Sequence, residues 1–370
     1  MDIKIITLFL ILTSLPCFAF YNPNAKFWSY DINSPNLTPE QASERCKQSL
    51  TQDTIAAAQW CTKAYALGDD YALHLVEELT GITLDQFHTM QRNANDGDII
   101  ATNRLAHFYY YGNFVDQDYT MAIQLYEKAY EQGGMKPALF LSRIYSKNNP
   151  AMDYQPDRAI AILADLSNRP YQKSILDYPE RQQDAIEMLA RHYMHGEIVN
   201  HDYSTAMRLF QEANKLSNKQ FSSEIGYIYF HGLGVKQNYK LAFEHFSDGN
   251  SYDSVVAKIN NDEISLSSEA IFYLGLIYYH GLLDEPDLDS AYQLFDMSGG
   301  YESRGDPTRY IINPSYKSEL YYLLGYMLEF GLGTKSNIEY ATYFYGQSVK
   351  THGPFANKSK LRLSKFESEK

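Results

Sequence analysis

Residues able to do chemistry are few in this 370-residue chain and poorly grouped for it. His192 and His195 stand three apart, a spacing that puts two imidazoles on one helix face and suits a metal. Yet His195, His231 and His280 each sit immediately before a glycine, in a slot filled elsewhere by Tyr111 and Phe330. A slot that takes His, Tyr and Phe alike reads as a packing or turn position, so no metal site is expected. The sequence has no His-Glu-x-x-His, no phosphate-binding Gly-x-x-x-x-Gly-Lys-Ser/Thr loop, no Gly-x-Ser-x-Gly and no paired Cys-x-x-Cys. Its carboxylates are dispersed, and even Glu77-Glu78 lacks a recognisable basic or nucleophilic partner. No catalytic residue and no cofactor is assigned, and the chain reads as a non-enzyme. With 32 Lys+Arg against 45 Asp+Glu, the net charge of −13 also argues against nucleic acid and against an anionic membrane surface.

The elements begin with a leader. Met1–Lys4 carries one basic residue, Ile5–Leu12 is a short apolar run, and Cys17-Phe18-Ala19 offers small residues at −3 and −1 of a cleavage point after Ala19. That is the layout of a secretory signal peptide over 1–19, too short and too interrupted by Pro16 for a membrane span. The competing reading, a lipoprotein signal anchored at Cys17, fits badly with Pro16 directly before the cysteine. An exported chain, periplasmic or secreted, with no membrane span after processing, is expected. Processing leaves Cys46 and Cys61, an even pair in an oxidising compartment: a disulfide, or two small buried hydrophobes.

The rest is a repeat. LAHFYYYG (105–112), LARHYMHG (189–196), IGYIYFHG (225–232), LGLIYYHG (274–281) and LGYMLEFG (324–331) align, and LSRIYSKN (141–148) is a copy without the glycine. The recurring Tyr is Tyr109, Tyr145, Tyr193, Tyr229 and Tyr278, with Leu328 in the last copy, at spacings of 36, 48, 36, 49 and 50. After each glycine comes Asp118, Asp202, Asn238, Asp287 or Asn337, four residues before Ala122, Ala206, Ala242, Ala291 or Ala341. Four further on stands a ring: Tyr126, Phe210, Phe246, Phe295 or Tyr345. The Asp/Asn is an N-cap, the Ala and ring share a helix face, and the glycine lets the preceding helix end in a left-handed residue. Each unit is therefore helix, turn, helix. Thr38-Pro39-Glu40-Gln41 is a capping box that opens a first helix over about 39–50, and Asp53 caps its partner. Cys46 and Cys61 then lie on antiparallel helices, each within about two turns of the link at 51–53.

The assigned organisation is a signal peptide 1–19, an N-terminal arm 20–38, a repeat array 39–352 and a tail 353–370. The array divides into units 39–68, 69–97, 98–133, 134–173, 182–217, 218–250, 267–300 and 317–352, with longer links at 166–184, 251–266 and 301–316. In the tail, Leu361 and Phe366 are expected to seal the last unit.

L-G-x-x-Y-x-x-G followed by D-x-x-x-A-x-x-x-Y/F-x-x-A resembles the Sel-one-like repeat (SLR) family, relatives of tetratricopeptide repeats. The resemblance covers about residues 39–352; the last unit lacks the Tyr and the fourth lacks the Gly. It implies an all-α fold, an α/α superhelical solenoid of tandem helix-turn-helix repeats, working as an adaptor or scaffold for protein complexes. In bacteria such proteins are often exported and linked to envelope or host-contact biology. The family's register places the first helix of each unit on the concave face. Carried over, that face presents His107, Tyr110, Tyr111, Arg143, Arg191, Met194, Tyr227, Phe230, Leu276, Tyr279, Tyr322 and Tyr326. Aromatic rings and arginines are the types enriched at interface hot spots, so the expected partner is another protein or a peptide segment. Burial of many of these rings between neighbouring helices is the alternative. A carbohydrate or peptidoglycan binder, even a weakly hydrolytic one, is the second functional class, since aromatic faces stack on sugars; no carboxylate pair supports hydrolysis.

Overall fold

The computed structural model describes residues 32, 34, 37–147, 154–170, 179–216, 221–260, 266–301, 313 and 315–368. The leader, most of the 20–38 arm and the middles of the three longer links lie outside the described residues. Every element among the described residues is an α-helix.

The chain forms two compact units, residues 1–192 with 196–200 and residues 193–195 with 201–370. The first contains α1 (Pro39–Ser49), α2 (Thr54–Ala66), α3 (Asp70–Thr80), α4 (Leu84–Asn95), α5 (Ile99–Tyr111), α6 (Tyr119–Glu131), α7 (Met135–Tyr145), α8 (Pro156–Asn168) and all but the last residues of α9 (Pro179–His195). The second contains α10 (Tyr203–Leu216), α11 (Ser222–His231), α12 (Tyr239–Phe246), α13 (Tyr252–Asn260), α14 (Ser268–His280), α15 (Leu288–Tyr301), α16 (Tyr316–Phe330), α17 (Ile338–Lys350) and α18 (Ala356–Ser368). In the first unit α1–α2, α5–α6 and α7–α8 pair, and α2–α3, α4–α5 and α6–α7 stack one pair on the next. In the second, α11–α12, α14–α15 and α16–α17 pair, with α12–α14, α15–α16 and α17–α18 stacking. This is an all-α solenoid of tandem helix-turn-helix pairs.

The repeated residues act as backbone instructions. Asp118, Asp202, Asn238, Asp287 and Asn337 each accept, through Oδ1, the backbone N–H three residues on, at 2.9–3.1 Å. The N–H of each cap residue donates back to the carbonyl of the recurring Tyr or Leu: Tyr109, Tyr193, Tyr229, Tyr278 and Leu328, at 2.8–3.0 Å. Between them the glycine ends the first helix at positive φ, as at Gly232 (66°) and Gly281 (61°), a region costly for other residues. The fourth pair lacks that glycine yet keeps the return bond, from Gln155 N–H to the Tyr145 carbonyl at 3.0 Å.

Burial follows the same register. Ala122, Ala206, Ala242, Ala291 and Ala341 are fully buried, and so are the rings Tyr126, Phe210, Phe246, Phe295 and Tyr345. Three of these rings lie on a glycine of the first helix. A Cβ on Gly226, Gly275 or Gly325 would stand 2.8, 2.6 or 2.8 Å from Phe246, Phe295 or Tyr345. That close approach is why the position before Tyr227, Leu276 and Tyr326 is kept small.

Three elements depart from the sequence reading. α9 begins at Pro179, three residues before the assigned unit, because proline suits a first helical turn. The link 251–266 contains α13. Residues 356–368 form α18, whose Ala356 and Ser359 are buried and whose Leu363 and Phe366 pack toward Leu328, Ala341 and Tyr345. Leu361, expected to help seal the last pair, is instead 64% exposed; Leu363, on the inner face of α18, takes that role.

Cys46 on α1 and Cys61 on α2 are joined by a disulfide, both buried, their Cα atoms 4.7 Å apart across a sequence separation of 15. Trp60, Ala64, Ala72 and Val76 complete the core around them.

Three stability changes are expected from this packing. Gly275→Ala should cost about 1–3 kcal/mol in urea unfolding, by forcing a methyl into the Phe295 ring. Gly346→Ala, in α17 with open space around it, should be neutral or stabilise by about 0.4–1 kcal/mol. Reducing the disulfide, or Cys46→Ser with Cys61→Ser, should lower stability by about 3 kcal/mol for a loop of this length, read as a lower urea midpoint with a slope that does not fall, since the freed chain unfolds to a more open state.

Candidate functional site

The twelve residues assigned to the inner face sit on the first helices of successive pairs, and the structure sorts them into two groups. Met194, Phe230 and Leu276 are buried and offer no surface. Phe230 is covered because Tyr273 of α14 lands on it, ring centroids 5.0 Å apart, while Tyr239 closes its other side at 5.5 Å. His107, Tyr110, Tyr111, Arg143, Arg191, Tyr227, Tyr279, Tyr322 and Tyr326 are half-buried.

In the first unit, His107 and Arg143 lie against Phe140 of α7, a ring absent from the sequence assignment, and Tyr111 packs on His107. The His107 and Phe140 centroids are 4.4 Å apart, His107 meets Tyr111 at 6.3 Å, and the Arg143 guanidinium lies 5.7 Å from the Phe140 ring. Tyr110 packs on Tyr111 and Tyr119, at 4.9 and 5.3 Å. Arg191 is paired with Glu187 one turn earlier, at 3.1 Å.

His107 Nδ1 lies 2.9 Å from both the Asn103 carbonyl and the Tyr126 hydroxyl, donating to the first or accepting from the second according to tautomer. Its enclosure by rings, and secondarily the Lys136 charge, push the imidazole down to about 4. The ring is therefore neutral near pH 7 and serves as a hydrogen-bonding core residue.

In the second unit, Tyr227 of α11 packs on His231 and on Tyr273, at 4.5 and 5.6 Å. Tyr273, also missed from sequence, is the hub. It stacks on Phe246 at 5.1 Å, and its hydroxyl lies 3.4 Å from both His231 Nε2 and Asn313 Nδ2. Burial holds its phenol well above the usual range. On α16, Tyr322, Tyr326 and Phe330 follow one another at 6.1 and 4.8 Å. The slot before the repeat glycine, read from sequence as a packing or turn position, is open here: His231 and His280 are exposed and Phe330 is 50% exposed. These residues stand at the end of the first helix, beyond the reach of the partner helix's ring.

Among the described residues no three His, Cys, Asp or Glu side chains come together as metal ligands would. An open groove of about 400 Å³ lies between α4 and α5, with Asp85, Thr89, Asn93, Asp98 and Arg104 among its lining. Asp98 is committed there as the N-cap of α5, accepting from Ala101 N–H at 2.8 Å. No described helix is long and apolar enough to cross a membrane.

A family model for the Sel1 repeat matches residues 47–69, 99–134, 183–218, 223–247, 268–299 and 318–350. The chain belongs to the Sel1 repeat family. The unmatched stretches include α3–α4 and α7–α8, the pairs in which the signature is degenerate or lacks its glycine. Sel1 repeats generally mediate protein–protein interactions, on a fold that is generally a non-enzymatic scaffold. Among solved structures, the chain is similar to a Sel1 repeat protein from Oxalobacter formigenes, at TM-score 0.52 and 16% identity, over 88% of this chain and 86% of that one. It is also similar to c5321, a protective antigen present in uropathogenic Escherichia coli strains displaying an SLR fold, at TM-score 0.50 and 18% identity, over 88% and 72%. No curated protein matches the sequence significantly.

The depressed His107 predicts a pH dependence with a definite sign. The unfolded chain takes a proton near pH 6.5 that the folded ring refuses until about 4, so the folded state is progressively disfavoured as pH falls between them. His107→Gln keeps a hydrogen-bonding side chain without the titration. Urea unfolding across pH 7 to 4 should show a shallower loss of stability in the variant; identical slopes would remove His107 from the account.

Proposed function

We propose that this chain is an exported, non-enzymatic scaffold that takes another protein or a peptide segment on the faces of its first helices. The observation carrying this reading is the half-exposed aromatic surface on those helices in the second unit, where Tyr227, Tyr279, Tyr322 and Tyr326 accompany exposed His231, His280 and Phe330. Large rings with a polar tip are well suited to transient association, since they bury much area with little side-chain entropy lost. Export is supported by the leader-like segment at 1–19 and by a buried cystine, which persists in an oxidising compartment. A role in bacterial envelope or host-contact biology is consistent with both.

The test is affinity capture from the native compartment with the processed chain as bait, compared with Tyr227→Ala, Tyr279→Ala and Tyr326→Ala together. Phe230, Met194 and Leu276 are left intact, because truncating buried residues would confound binding with unfolding. Loss of a specifically recovered protein from the triple variant, at unchanged helical content, is the expected result. Equal recovery by both baits would overturn the assignment of this face.

A further inference from the structure

The second unit already holds a basic helix on aromatic rings. Tyr322, Tyr326 and Phe330 recur every four residues on α16 and so form one strip along it. Across this strip lies α18. The Lys358 ammonium is 4.3 Å from the Phe355 ring centroid and 5.8 Å from that of Tyr322. One helical turn on, the Arg362 guanidinium is 5.2 Å from both Tyr326 and Phe330, and it pairs with Glu329 at 3.2 Å. Cations four residues apart on one helix thus match rings four residues apart on another, a contact of cation–π type.

That seat is only partly filled. Phe330 remains 50% exposed, and Tyr322 and Tyr326 are half-buried. Glu319, one turn before Tyr322 on α16, is also half-buried, yet it accepts no hydrogen bond and closes no ion pair among the described residues. Its carboxyl is raised by burial, against the pull of Lys358. On the neighbouring α14, which packs against α16, Tyr279 joins the same hydrophobic cluster as Tyr322.

We propose that the strip formed by Tyr279, Tyr322 and Tyr326 beside Glu319 docks a basic helical segment of a partner protein, with lysine or arginine side chains four residues apart, in competition with α18, whose Lys358 and Arg362 lie along Tyr322, Tyr326 and Phe330. The proposal deepens the scaffold reading and rests on it. An apolar helix would bury Glu319 further, which is costly, whereas a lysine or arginine reinforces the opposing charge that Lys358 supplies. The rings favour a cation over an anion, and a chain of net charge −13 attracts basic segments at long range.

Fluorescence anisotropy with the intact processed chain tests this directly. The probe is a labelled peptide with the sequence of residues 355–368, compared with the same peptide carrying glutamine at its four basic positions. The basic probe should bind at least about tenfold more tightly than the neutral one and weaken as salt is raised. Glu319→Gln should weaken the basic probe by about tenfold without lowering the melting temperature, because it removes a poorly solvated charge. Lys358→Gln with Arg362→Gln should tighten the probe by vacating the strip. Equal affinity for the two probes, or an unchanged affinity in Glu319→Gln, would overturn the proposal, as would no binding of the basic probe. In those cases the scaffold reading still stands if affinity capture recovers a partner lost in the aromatic triple variant; its own failure is the absence of any such partner.

Discussion

Each regular helix pair in the second unit depends on a ring seated where the opposing helix has no side chain. Phe246 on Gly226, Phe295 on Gly275 and Tyr345 on Gly325 bring the two helices closer than a Cβ would permit. The contact also fixes the rotation of the first helix about its own axis. Successive residues are about 100° apart around a helix, so turning the glycine toward the ring turns Tyr227, Leu276 and Tyr326, which directly follow it, away from the partner helix. The direction in which these side chains leave the first helix is thus set by a packing contact on another side of it. The return bond from the cap N–H to the carbonyl of Tyr229, Tyr278 or Leu328 then holds the turn that lets the ring arrive.

What was legible in the sequence is what each pair settles for itself. An N-cap, a left-handed glycine, a small residue and a ring at helical spacing are demands of local backbone and of one partner helix, so they recur together in the regular copies. Whether an inner-face side chain ends buried is decided by the next first helix, and the links that deliver it vary in length. Phe230 is covered because Tyr273 arrives from α14, and His107 because Phe140 arrives from α7. Neither Tyr273 nor Phe140 belongs to the repeated signature, so neither stood out. α18 was concealed differently. Its lysines and arginine suggest a solvated tail, while the inward set Ala356, Ser359, Leu363 and Phe366 has helical spacing but only two large apolar members.

The same logic accounts for the choice between Tyr and Phe at the ring position. In the pairs α5–α6 and α16–α17 the ring is a tyrosine, and its hydroxyl reaches a polar group on the first helix: Tyr126 meets His107 Nδ1 at 2.9 Å, and Tyr345 donates to Glu329 Oε2 at 2.6 Å. His107 stands five residues before its repeat glycine and Glu329 two before. In the copies where the ring is Phe210, Phe246 or Phe295, those two slots hold Arg191 and Met194, Tyr227 and Phe230, or Leu276 and Tyr279, with neither an imidazole nor a carboxylate among them. A buried hydroxyl without a partner is costly, so phenylalanine occupies the position where no such acceptor faces it.

This coupling extends outward through Glu329. Its two oxygens are divided between the core and the surface: Oε2 accepts from buried Tyr345, and Oε1 pairs with Arg362 of α18. The guanidinium held in that way is the one placed over Tyr326 and Phe330. A ring that closes the last helix pair therefore also orients the carboxylate that anchors α18 on the aromatic strip. Part of the chain's 33 tyrosines is explained by this double use, an apolar face for packing and a hydroxyl that selects which polar neighbour the first helix must carry.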